Sequence, residues 1–489
     1  MKTINQVAQN TSRPVSVLQF GEGNFLRAFA DQMIDVANSN DVFNGNVHIV
    51  KSIPQGSLAI LAEQDFLYTV ILRGKKDGAN HVEEQIVTSI DGATCAYEDY
   101  PHYAALAKSE DLRFIISNTT EAGIVFDESD EFDSEPPNSF PGKLTKFLYE
   151  RFEFFDGAVD KGIIILPVEL IEKNGETLLK CCKLFAEKWN LPETFMRWLT
   201  DKNIFCNTLV DRIVTGFPTD EAQTLEDELG YSDRLMVVGE PFALWVIETD
   251  NPTVSEEFPL NKAGLPVIFT ENLKPYRERK VRLLNGAHTA TVAAAFLSGL
   301  DTVGDMMNDK VIRGFLEEVV YNELAPFVPL PEKDVLSFAD SVLERFENPF
   351  IRHYLLSITL NSVSKFKARI LPTILETYAD SGSLPKLLCF SLAALIAFYR
   401  GRKINGKLMG TRNGMDYEIA DDAAVLEFFN EFQDSKEPEI VTAFLGRIDF
   451  WGEDLTLIDG FCGTVIRSLQ SISADGMRDA IEKTKRSAQ

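Results

Sequence analysis

Residues 15–29 read VSVLQFGEGNFLRAF. An apolar run that suits a strand ends in a two-glycine turn, and a helical pattern follows through residue 38. The run NVHIV (46–50) then suits a second strand. Strand, glycine turn, helix, strand is a βαβ opening. Working outward, LYTVIL (67–72), EEQIVTSI (83–90), RFIISNTT (113–120) and GIIILPVEL (162–170) are further β-like runs with helical stretches between many of them. That alternation predicts a largely parallel sheet with helices on its faces. After about residue 275 the texture changes to long helix-periodic segments and few strand candidates. The fold class expected is α/β: a Rossmann-like dinucleotide-binding domain over 1–274, then a mainly α-helical substrate and catalytic domain over 275–489. The acidic, proline-rich stretch 127–142 reads as a surface loop.

The glycine turn carries the first chemistry. Gly21 suits the tight turn and Gly23 suits close approach of a pyrophosphate, while the following helix start offers unpaired N–H groups to an anion. The candidate cofactor contacts are Phe20, Gly21, Glu22, Gly23, Asn24, Phe25, Leu26 and Arg27, with Arg27 placed to meet phosphate. The third glycine of the fingerprint is absent, since that position is Leu26. No acidic residue ends the second strand either, which runs into Lys51 and Ser52. A carboxylate there would hold a ribose 2′-hydroxyl and a lysine could favour a 2′-phosphate, so the residues alone leave NAD and NADP open.

The second chemistry lies in KVRLLNGAHTATVAAAF (280–296). Asn and Gly are poor interior helix residues, so Asn285 and Gly286 cost stability unless something needs them. On a wheel of 100° per residue, Lys280, His288 and Asn285 fall at about 0°, 80° and 140°, on one broad face. Carbonyl reduction would use such a set. A lysine donates a proton to the developing alkoxide, and Asn and His hydrogen-bond the same oxygen. The lysine must have its charged form disfavoured by burial or nearby cations, and Arg279 and Arg282 crowd it in sequence.

Bulk properties narrow the classes. The chain has 489 residues, 45% hydrophobic and 25% charged, with a net charge of −26. So acidic a chain does not suit nucleic acid, which needs a basic surface. An anionic substrate would require a local positive pocket. Six scattered cysteines and no recognisable signal peptide suggest free thiols in a cytoplasmic protein. No apolar run approaches a membrane span, and none of the five histidines has metal-ligand spacing with another His or with Cys. Neither membrane nor metal is therefore expected.

The set Lys280, Asn285, His288, in K-x-x-x-x-N-x-x-H, resembles the active-site helix of the mannitol dehydrogenase family of long-chain polyol dehydrogenases. TLVDRIVTG (208–216), GEGNFLRAF (21–29) and NTTEAG (118–123) are similar to other segments of that family, and the likeness runs from about residue 15 to about 480. The resemblance implies metal-independent hydride transfer with a nicotinamide, expected here as NAD. It implies Lys280 as general acid/base, Asn285 and His288 on the carbonyl oxygen, and Asp211 assisting proton movement. It adds Asn118, Thr119, Thr120 and Glu121 to the cofactor contacts and Lys365 to the substrate contacts. LLNGAHTA (283–290), GLDTVGDMMND (299–309) and SLAALIAFYRG (391–401) are most like members acting on hexuronates. The implied pair is tagaturonate and altronate, in hexuronate catabolism.

Two departures bear on substrate. Polyol members carry an Asn near the place of Leu170 and an Arg at the place of Ser357. Both changes count against mannitol. Lys365, Lys367, Arg369 and Arg352 are the candidates to meet a substrate carboxylate. A sibling reaction (fructuronate to mannonate, or fructose to mannitol) and a dinucleotide-sensing regulator without turnover are the rival readings. The partner expected is a small sugar acid, with the protein a monomer or small homo-oligomer.

Overall fold

In the computed structural model, which describes residues 1–120 and 122–488, the chain separates into two units, 1–273 and 274–489. The first is built on a six-stranded parallel sheet. Its strands are β1 (Val15–Phe20), β2 (Asn46–Lys51), β3 (Ile90–Cys95), β4 (Phe114–Ser117), β5 (Ile164–Pro167) and β6 (Ile204–Phe205), in the spatial order β3-β2-β1-β4-β5-β6. That is the order of dinucleotide-binding sheets. It reverses direction between β1 and β4, so the carboxyl ends of those two strands flank the crevice where such folds bind their ligand. Strands buried on both faces explain the continuous apolar runs IILP and FIIS.

Two smaller sheets, and a two-residue parallel pairing of Lys2–Thr3 with Tyr231–Ser232, accompany the six-stranded sheet among the described residues. One joins Val214–Gly216, Val237–Gly239 and the hairpin Tyr68–Lys76/Ala79–Val87. The other joins Asn207–Asp211, Leu244–Glu248 and Val267–Thr270. The stretch 127–142 is less loose than its composition suggests. Asp130 is buried, its carboxylate accepts from the Asn138 and Ser139 N–H groups, and its carbonyl accepts from the Trp189 indole.

The second unit is mainly helical. Three of its helices matter below: α1 (Ala287–Leu297), α2 (Glu332–Phe346) and α3 (Ser362–Arg369). It also holds a three-stranded antiparallel sheet, Gly401–Ile404, Lys407–Arg412 and Met415–Ile419, in a region where few strands were expected. Its two turns are Asn405-Gly406 and Asn413-Gly414, with all four residues at positive φ between 52° and 84°. Such turns match the twist of paired strands and favour Asn-Gly.

One buried group in the first unit makes stability depend on pH. Asp31 is fully buried, accepts from the Tyr68 hydroxyl at 2.8 Å and from the Gln19 amide at 3.3 Å, and keeps its Oδ1 without a partner. Burial pushes its carboxyl up to about 7, against the opposing pull of those hydrogen bonds and of Arg27. The folded pKa lies above the unfolded one. The contribution is therefore complete below about pH 4 and lost as pH rises through about 7. Asp31→Asn should gain stability over wild type by about 2 kcal/mol between pH 5 and pH 8 in urea unfolding. A pH-independent difference would contradict this.

Candidate active site

The glycine turn lies at the carboxyl end of β1. Gly21 has φ +119°, and a Cβ there would stand 3.1 Å from the Asn118 carbonyl oxygen and 3.2 Å from Leu26. A side chain is excluded because the ends of β1 and β4 meet here, and the Asn118 N–H donates to the Phe20 carbonyl at 3.1 Å. Gly23 differs. It is exposed and its Cβ would meet nothing within 4 Å. The helix beginning at Asn24 has Gly23 as its cap and no side-chain cap, which leaves first-turn N–H groups for an anion. An open cradle over a helix start fits a dinucleotide pyrophosphate.

Several expected contacts turn elsewhere. The Arg27 side chain is buried, donates to the Leu235 carbonyl and to Asn24 Oδ1, each at 2.6 Å, and lies over the Tyr68 ring. It braces Asn24 from inside the fold, and the expected phosphate contact by its side chain is corrected. Phe20 packs between Tyr103 and Phe140, Leu26 is buried, and Phe25 stacks on Phe29, so these three offer the turn main-chain groups. Asn24 is exposed and Glu22 is half-buried. Lys51 is buried as well, and its ammonium donates to the Ile53 and Pro54 carbonyls at 2.9 and 3.2 Å. It folds the loop after β2, so the possibility that it reads a 2′-phosphate falls away.

The loop after β4 has an anchor that sequence reading missed. Buried Glu169 accepts from Ser117 Oγ and from both the N–H and hydroxyl of Thr119, at 2.9–3.1 Å. Burial raises its carboxyl above the usual range despite those bonds. Thr120 follows with φ +88°, a strained conformation for a β-branched residue, of the kind that collects at ligand sites. Glu121 lies outside the described residues. Asp211 is buried at the end of the strand Asn207–Asp211, and its neighbour Arg212 donates to the Ala28 carbonyl and Gln32 beneath the glycine turn.

In the helical unit, Lys280–Gly286 is a π-helix that continues into α1, where an ordinary α-helix was expected. Bonding from i to i+5 places Asn285 over Lys280, and the following α-turn carries His288 three residues on. The spacing K-x-x-x-x-N-x-x-H is one π step followed by one α step. Gly286 is not demanded by space, since a Cβ would meet Ile370 Cδ1 and the Val281 carbonyl at an ordinary 3.4 Å. Arg282 is paired with Glu376 through two bonds of 2.7 and 2.8 Å and also donates to Thr373. Its charge is thus answered there, which corrects the crowding expected around Lys280. Arg279 lies over the rings of Tyr276 and Phe338.

His288 is stacked 4.0 Å from Phe346 of α2 and edge-on to His353 at 5.4 Å. Its Nδ1 is buried and has no hydrogen-bond partner among the described residues. Burial, then His353, Arg345 and Arg369, hold its pKa well below 6.5, so the ring is neutral at pH 7. An unanswered buried polar atom costs about 1–3 kcal/mol, a cost a bound ligand can offset. Arg369 donates to Thr289 Oγ1 at 3.2 Å, and Thr289 donates to the Asn285 carbonyl at 2.9 Å. Lys365, half-buried, donates to the Ile358 carbonyl at 3.1 Å. The structure therefore gathers Asn285, His288 and Arg369, with Lys365 on the same helix as Arg369. Arg352 is exposed, and Lys367 points to Gly452.

The family's Rossmann-domain model matches residues 15–262 and its C-terminal-domain model matches residues 272–473, both described as mannitol dehydrogenase. The chain belongs to the mannitol dehydrogenase family. Full-length relatives include the altronate oxidoreductases of Yersinia enterocolitica (45% identical) and Escherichia coli (44%), each aligned over 98% of this chain and 99% of the relative. Among solved structures, D-sorbitol dehydrogenase in substrate-free form matches with TM-score 0.79 at 20% identity, over 98% of this chain and 100% of that one. Pseudomonas fluorescens mannitol 2-dehydrogenase, in a ternary complex with NAD and D-mannitol, matches with TM-score 0.66 at 24% identity, over 97% and 95%. As a member of the mannitol dehydrogenase family, the chain is an oxidoreductase acting on CH–OH groups of a small polyol or sugar-acid substrate. No helix among the described residues is long and apolar enough to cross a membrane.

The two glycines separate folding from cofactor binding. Gly21→Ala should lower stability by about 1–3 kcal/mol, from backbone strain at positive φ. Gly23→Ala should melt as wild type does and bind NADH several-fold more weakly by fluorescence titration. Unchanged NADH affinity in Gly23→Ala would remove the turn as the pyrophosphate seat.

Proposed function

We propose that the chain is a tagaturonate reductase (altronate oxidoreductase), interconverting D-tagaturonate and D-altronate with NAD(H) in hexuronate catabolism. The observation that carries the reading is the π-to-α step, which sets Lys280, Asn285 and a neutral His288 in sequence along one helix. The altronate oxidoreductase relatives support the choice of substrate pair.

In the direction of reduction, the Lys280 ammonium delivers a proton to the carbonyl oxygen as negative charge builds on it. The Asn285 amide donates a hydrogen bond to that oxygen. Neutral His288 supplies the one N–H that an uncharged imidazole has. A neutral ring suits this role because it does not compete with the lysine as proton donor. Asp211 assists the return of a proton to Lys280. A bound nicotinamide supplies or accepts the hydride. Gly21, Gly23, Asn24 and residues 118–120 seat it, with Glu121 assigned to the same site. The preference for NAD over NADP is supported by Lys51, whose ammonium is taken up by two backbone carbonyls.

NADH consumption with tagaturonate, fructuronate and fructose tests this, beside a Lys280→Ala variant. Turnover of tagaturonate should exceed that of the other two and fall roughly 10²–10⁴-fold in the variant, with NADH affinity unchanged. Preferred turnover of fructuronate or fructose would move the substrate. Binding of NADH without turnover of any would favour a regulator.

A further inference from the structure

Several partly buried arginines in the helical unit end on carboxylates. Arg282 meets Glu376, Arg313 meets Glu317, Arg400 meets Glu437, Arg412 meets Asp301 and Arg478 meets Asp309, at 2.6–3.0 Å. Arg369 does not. Its one hydrogen bond among the described residues runs to the neutral Thr289 hydroxyl. It is half-buried, and burial lowers its pKa from the usual guanidinium range. Lys365, four residues earlier on α3 and so on the same face, is likewise half-buried; its ammonium donates to the Ile358 carbonyl and is also drawn by the Asp421 carboxylate. In a chain of net charge −26, a partly desolvated guanidinium whose one hydrogen bond among the described residues goes to a neutral hydroxyl is costly unless an anion arrives.

The place of Arg369 is defined. Thr289 follows His288 in sequence, and its hydroxyl accepts from Arg369 while donating to the Asn285 carbonyl. A Cβ on Gly286 would stand 3.6 Å from the Arg369 carbonyl, so the end of α3 lies directly against the π-turn.

We propose that Arg369, held by the Thr289 hydroxyl, receives the carboxylate of the substrate. Thr289 is the positioning residue: it ties the guanidinium that holds the acid end to the main chain of Asn285. The inference rests on the sugar-acid reading and adds what distinguishes an acid from a neutral ketose.

The test compares wild type, Arg369→Gln, Arg369→Lys, Thr289→Val and Thr289→Ser. Kinetics with tagaturonate are set against D-tagatose, which carries CH2OH in place of the carboxylate, and altronate binding is measured by calorimetry. In Arg369→Gln, the ratio of kcat/KM for tagaturonate to that for tagatose should fall at least about tenfold, and altronate binding should weaken as much. The loss should lie in KM. Arg369→Lys should recover part of the ratio, and it replaces Arg369→Gln if that variant does not fold. Thr289→Val should raise KM for tagaturonate with kcat little changed, and Thr289→Ser should restore it. An unchanged ratio in wild-type-like Arg369→Gln, or equal losses on both ketoses, overturns the inference and leaves the proposed reaction standing. If wild type binds altronate through Arg369 yet turns over no tagaturonate, the reaction falls and the anion site stands.

Discussion

Lys280 and Asn285 are five residues apart, and a π-helix is the backbone that stacks residues five apart. In an unbroken α-helix the two would diverge by about 140°. The widened turn brings them into line, and the α-helix that resumes at Ala287 adds His288 on the next turn. The helix thus accepts Asn285 because its first turns serve the geometry of three polar groups, while the rest packs with buried small residues. π-turns inside α-helices are uncommon and concentrate at functional sites.

Charge follows the same economy. A chain of −26 holds a neutral His288 beside cations, and pairs several of its arginines with carboxylates. Arg282 illustrates this: three residues from Asn285, it is turned back to Glu376 and Thr373. In the first unit Arg27 and Lys51 are spent on carbonyls of the fold, which leaves the glycine turn to meet an anion with N–H groups.

Much of this was legible in the sequence, for reasons that differ by element. β1 and the glycine turn were legible because apolar runs, paired glycines and a helix start are local signals. The hairpins at 401–419 carried an equally local signal, two Asn-Gly dipeptides, and were passed over beside the helical texture around them. Arg27 and Lys51 were misassigned because sequence position does not reveal which way a long side chain folds. Glu169 was missed because its importance comes from Ser117 and Thr119, about fifty residues away and brought near by adjacent parallel strands. The π-turn was hidden by the assumption of a 3.6-residue period, although the five-then-three spacing contains it.

The account depends most on that turn, so the direct measurement is to shift its phase. Inserting one alanine after Val281 puts Lys280 and Asn285 six residues apart, about 120° out of line on an α-helix, while leaving every proposed catalytic side chain present. The insertion variant should keep the wild-type circular dichroism spectrum and NADH affinity, and lose turnover on the order of 10²-fold or more, as removal of the acid/base does. A folded insertion variant with wild-type turnover would contradict the claim that the π-turn assembles the site.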